Sequence, residues 1–217
     1  MSVFALSALT AAGQFPCGCE KNPPFCHDCL CQTETLKNNA KVFYHYDCDS
    51  LYITLLGTTG DTIQLFTQVM ELTHPLRMVP RIEQDAQNTV LFNTYCSGGF
   101  EFCSWKLIDK STGNSLADFN NIIFNDTLQN TILHMTDDYS LKLYVMDAKK
   151  EFNIDYSREK CEKAISSLCS GYYPSDFFAV EQPDATHLKV TYKILDEAIS
   201  KECQDESLLI DLNEYLK

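Results

Sequence analysis

The chain has 217 residues, 45% hydrophobic and 12% aromatic, enough to bury a sizeable core in one domain with an appendage or in two small domains. Its formal charge is −13, from 30 acidic against 17 basic side chains, with no Lys/Arg cluster to interrupt the acidity. That balance argues against nucleic acid and anionic lipid as partners, and no apolar run reaches the roughly 20 residues a membrane span needs.

Residues 3–12 (VFALSALTAA) have the length and apolarity of a signal-peptide core, but no Lys or Arg precedes them. The expectation is an arm that stays on the chain and packs on the protein or on a neighbour. Cys17, Cys19, Cys26, Cys29 and Cys31 follow within fifteen residues, with His27 among them. Pro16, Gly18, Pro23 and Pro24 leave this segment little apolar surface, so order there requires a covalent or metallic link. Disulfides are the preferred expectation, with Cys31 and Cys48 as further candidates for bridging. Structural zinc on Cys17, Cys19, Cys26 and Cys29 is the alternative, because two closely spaced pairs supply four thiolates. An iron–sulfur cluster, or a redox role for Cys26 with Cys29, suits the spacing less well. The chain holds eleven cysteines, so five bridges would leave one thiol over.

Strand signals begin at residue 40. Residues 41–47 (KVFYHYD) and 51–56 (LYITLL) are short, aromatic and β-branched. A Gly57-Thr58-Thr59-Gly60 turn then leads into alternation over residues 61–69, the pattern of a hairpin. Pro75 and Pro80 reduce residues 71–81 to an edge strand or loop. Residues 88–96 and 100–108 flank Ser97-Gly98-Gly99 as a second hairpin, with Cys96 packed against Cys103 across it. Residues 121–125, 131–135 and 141–146 are further strands. From Ser157 the period changes: Cys161, Ala164, Ile165 and Leu168 share a helical face that Ser170-Gly171 ends. Residues 186–194 alternate as a strand. Helices are expected over about 196–203 and, from the Leu208, Leu209, Leu212, Tyr215, Leu216 stripe, over 206–216.

Candidate chemistry is sparse. Cys96 beside Ser97-Gly98-Gly99 is a conceivable thiol nucleophile, but spacing identifies no base for it. His45, His74, His134 and His187 are scattered singly and are expected to be partly exposed sheet residues. Asp47, Asp49 and Asp61 could gather at one strand end around calcium, although turn capping is the simpler role. The stretch from 196 to 217 carries seven carboxylates against two lysines. It reads as a solvated helix face or as a docking surface for a basic partner. The Asn125-Asp126-Thr127 sequon decides nothing alone. Phosphate loops, serine-hydrolase elbows and kinase signatures are absent from the sequence.

The expected fold is mainly β: an antiparallel sandwich or barrel over residues 40–156, a small α/β part over 157–217, and a cysteine-rich arm over 1–39. The expected function is that of a noncatalytic structural or interaction protein, a subunit of an extracellular or virion-type assembly. Its partners would be copies of itself or other subunits. Cytoplasmic synthesis without signal cleavage is compatible with this. The alternatives are a sandwich that binds glycans or proteins through exposed Tyr and Trp105, and a hydrolase using dispersed acids or a thiol. Whether the chain is an enzyme is left open.

Overall fold

In a computed structural model the chain is described over residues 31–47, 49–69, 79–96, 103–167, 169, 171, 173–196, 198 and 202–216. Among the described residues it is mainly β, as expected, with four antiparallel sheets, no closed barrel, and a small C-terminal α/β part. Each sheet is a meander whose strands pair in chain order. The first holds β1 (Gln32–Thr35), β2 (Lys41–Tyr46), β3 (Ser50–Leu56) and β4 (Thr62–Val69). The second holds β5 (Arg81–Asp85), β6 (Thr89–Cys96), β7 (Cys103–Asp109) and β8 (Ser115–Phe119). The third holds β9 (Ile122–Asp126), β10 (Thr131–Met135), β11 (Leu141–Val145) and β12 (Lys150–Asn153). A helix, α1 (Arg158–Ser166), leads to the fourth, made of β13 (Phe178–Asp184), β14 (His187–Ile194) and β15 (Gln204–Asp211).

Period-two patterning decides how the sheets stack. Val42, Tyr44, Ile53 and Leu55 of the first sheet pack on Val90, Phe92 and Ile108 of the second. The opposite face of the second, through Leu91, Leu107 and Phe119, packs on Ile132, Tyr144 and Met146 of the third. The other face of the third, through Leu133, Met135, Leu141 and Leu143, meets Leu188, Val190, Tyr192 and Ile194 of the fourth and Cys161, Ala164 and Ile165 of α1. The result is a face-to-face series in which both inner sheets are buried on both sides. Each fully buried Leu or Ile contributes about 1.5–3 kcal/mol relative to exposure.

One end of the series is tied by polar side chains that bridge neighbouring sheets. Lys110, fully buried, ion-pairs with Asp85 and donates to the backbone carbonyls of Ala86 and of Lys37 in the β1–β2 turn. The Lys37 amide donates to Asp85 Oδ2 at 2.6 Å. Lys149, in the β11–β12 turn, pairs with Asp109 at the end of β7. Gln84 of β5 donates to Asn130 Oδ1 at 3.1 Å, and Gln182 of β13 to Asp126 Oδ2 at 2.8 Å. The β3–β4 and β7–β8 turns touch at this end too. Gly113 has φ +68°, and a Cβ there would lie 2.6 Å from Ile63 Cγ2, so only glycine fits.

Several expectations change. The helix expected over 206–216 is instead β15, followed by a short 3-10 turn at Leu212–Glu214. Its leucine spacing fits either period, and pairing along all of β14 selects the strand. Half of the residues of the helix expected over 196–203, at 197 and 199–201, lie outside the described residues. Asp47, Asp49 and Asp61 do not gather: Asp47 Oδ1 accepts the Asp49 and Ser50 amides at 2.8 and 2.9 Å, while Asp61 lies at the other end of β3. His45 and His134 are buried, 7% and 5% exposed: His134 points toward the second sheet, whereas His45 lies on the face of β2 opposite Val42 and Tyr44 and is covered by its neighbours in the first sheet. His45 stacks on Tyr52 and bonds Thr54 Oγ1 at 2.9 Å. His134 meets Phe119 edge-on and bonds Glu151 Oε1 at 3.0 Å.

Candidate interaction surfaces

The residues singled out for zinc or bridging at Cys17, Cys19, Cys26, Cys29 and Cys48 lie outside the described residues, as does the apolar arm. Cys31 is disulfide-bonded. A bridge that spacing did not suggest joins Cys169, past α1, to Cys203 at the start of β15, with Cα atoms 6.0 Å apart. Cys161 is a free thiol in the core between α1 and the sheets, and burial pushes its pKa up to about 12. It is inert at neutral pH. Cys96 and Cys103 are backbone partners in the β6–β7 register. Among the described residues no group of three or more His, Cys, Asp and Glu side chains is arranged to hold a metal ion. The sequon asparagine, Asn125, sits inside β9 with its side-chain oxygen buried, not on a loop.

Two surfaces remain. The first is a cleft of about 400 Å³ where the first and second sheets part, away from the polar ties. Phe66 and Gln68 of β4 form one wall; Thr94, Ser104, Lys106 and Asp118 form the other. Residues 104, 106 and 108 of β7 alternate toward the first sheet, which brings these polar groups into the cleft. Thr94 Oγ1 and Ser104 Oγ lie 2.8 Å apart, and Lys106 pairs with Asp118 at 3.4 Å with both side chains over one-third exposed. Trp105 also lines the cleft, although its ring is not fully exposed. It belongs to the opposite face of β7, is half-buried, and packs on the cluster of Leu91, Leu107 and Phe119.

The second surface is the far side of the fourth sheet. Lys189 pairs with Glu181 at 3.1 Å and Lys193 with Asp205 at 2.7 Å, while Thr191 and Ser207 share a hydrogen bond at 2.9 Å. Leu209, opposite Lys189 in the register, stands among them at 63% exposure. Glu206 faces the other way. Its Oε1 accepts from Tyr192 and from Ser157, both at 2.6 Å, which ties β15 to the start of α1. Those two hydroxyls hold its carboxyl below the ordinary range. At the β13–β14 turn Asp184 accepts from Thr186 and pairs with His187, which holds its pKa down at about 2 and raises that of His187.

No family model matches the chain, and neither curated proteins nor solved structures provide a match. Among the described residues no helix is long and apolar enough to cross a membrane. The two surfaces were only partly readable beforehand: the acidity of β15 stood in the sequence, whereas the cleft depends on where two sheets diverge.

Proposed function

We propose that the chain is a noncatalytic structural and interaction protein, a subunit of an extracellular or virion-type assembly. Its partners on this reading are copies of itself or other subunits. One observation carries the reading. The series of sheets ends in a solvent-facing sheet whose outer face presents Leu209 among paired charges, and whose last strand is an open edge among the described residues. Such a surface suits association better than chemistry, because its charged groups already satisfy one another. Cross-linking mass spectrometry of the chain in its native source tests this. Links from residues 179–211 to another polypeptide are expected. Recovery of the chain as an isolated monomer in that material would overturn the reading.

The cleft supports a second reading, a module for a small polyhydroxylated ligand such as a glycan unit. Lys106 and Asp118 offer a donor and an acceptor side by side without net charge, and Phe66 offers an apolar edge. Vicinal sugar hydroxyls both donate and accept, so they match this pair where a simple ion does not. A glycan array on the full chain should give hits that Asp118→Asn and Lys106→Ala weaken; hits indifferent to both would remove the cleft from consideration.

A further inference from the structure

We propose that the free edge of β15 is a strand-addition site that takes an extended, basic segment of a different subunit; this rests on the interaction reading above. Three observations converge. The first three sheets each hold four strands, whereas among the described residues the fourth holds three and stops at β15. The position filled by β4, β8 and β12 elsewhere has no counterpart there.

The second observation concerns the backbone. The Leu212 amide donates to the Thr186 carbonyl at 2.7 Å, next to the His187–Asp211 pair. Antiparallel pairing alternates, so residues 204, 206, 208 and 210 turn their amides and carbonyls to β14. Residues 205, 207, 209 and 211 turn theirs to the open edge. An incoming strand would satisfy these groups, and its alternate side chains would lie beside Asp205, Ser207, Leu209 and Asp211.

The third observation is charge. On the face a new strand would share stand Asp205 and Asp211, with Glu202 and Glu214 beyond the strand's ends and no Lys or Arg between residues 202 and 216; Asp205 is paired with Lys193 of β14, and Glu206 turns inward to Tyr192 and Ser157. Pairing of two such edges would bring Asp205 and Asp211 of the two copies together, which disfavours pairing of β15 with a second copy. A basic segment is attracted, and this chain, with its charge of −13 and no basic cluster, does not supply one. The occupant is therefore another subunit, with cations six residues apart flanking small or apolar residues.

The test uses the full oxidised chain and an end-capped seven-residue peptide, lysine at both ends and valine alternating with threonine between. Hydrogen exchange should show new protection at the amides of 205, 207, 209 and 211 and none along β4, β8 or β12. Replacing the lysines by glutamate should abolish it. Leu209→Pro removes one outward amide without touching the β14 pairing, since proline is tolerated at an edge whose N–H faces solvent. It should weaken binding about two- to tenfold, the equivalent of one lost backbone hydrogen bond, while Leu209→Ala retains it. Three results would overturn the proposal: protection elsewhere, binding indifferent to Leu209→Pro, or edge amides already protected in the free chain by its own residues or a second copy. If cross-links to other polypeptides persist while the peptide fails, the interaction reading stands and only this edge is excluded.

Discussion

A lysine with no solvent contact must have its charge answered inside the protein, and Lys110 does so with Asp85 and two carbonyls drawn from two sheets. Burial lowers its pKa even so. Lys110→Ala leaves Asp85 without its partner and should cost about 3–5 kcal/mol in denaturant unfolding, whereas Lys110→Met, which keeps the volume, should cost less. The residue stands just before Ser111-Thr112-Gly113-Asn114, whose composition is that of a turn, and nothing local marks its lysine as buried. Histidine burial was equally illegible, because it depends on the second sheet covering the His134 face of β10 and on Tyr52 and Thr54 of the neighbouring strand closing over His45. It carries a pH dependence. Burial lowers the pKa of His134 and of His45 below the ordinary value, so the unfolded chain binds more protons as pH falls through that range. Stability should therefore drop between pH 7 and 5. His187, raised by Asp184, acts in the opposite sense, stabilising below the ordinary value and losing that contribution as pH rises through its folded one. Urea midpoints at the two pH values should show the drop, and His134→Gln should shrink it.

Among elements, legibility followed neighbours. Every strand flanked on both sides within its sheet, from β2 and β3 to β14, announced itself through alternation or an apolar run. The strands that went unread, β1, β5, β8, β12, β13 and β15, are all edges. An edge is shorter, more polar and less constrained by packing, as Gln32–Thr35 and Lys150–Asn153 illustrate, and Pro183 in β13 obscures it further. β15 was read as a helix because Leu208, Leu209 and Leu212 suit both periods, so the acidity of the candidate edge was legible while its backbone role was not. α1 was foreseen because Ser157, Cys161, Ala164 and Ile165 satisfy one period only. Its continuation is clipped to β15 by Cys169–Cys203, which closes a loop spanning 34 residues of sequence separation. Cys203→Ser should lower stability by about 2–4 kcal/mol, read by thermal or denaturant unfolding, and reductant should lower that of the parent chain at least as much, because it opens the Cys31 bridge as well.

For the molecule as a whole, serial packing is the governing fact. Face-to-face stacking of successive meanders is also the rule by which propeller blades associate. Each core cluster here joins only neighbours in chain order. Stability then resembles a sum of unit and neighbour terms, as in repeat proteins. Unfolding should depart from two-state behaviour, with hydrogen-exchange protection grouped by sheet rather than uniform. Leu133→Ala, in the third sheet, should cost about 2–5 kcal/mol and deprotect the third and fourth sheets before the first.

The polar ties described between the first three sheets all sit at one end, around Lys110, Asp109 and Gln84. The molecule is thus bound like a book along a single margin. Among the described residues the opposite margin carries the cleft between the first and second sheets around Phe66 and Lys106, so loosening the spine at Lys110 should disturb the spacing of those two leaves as well.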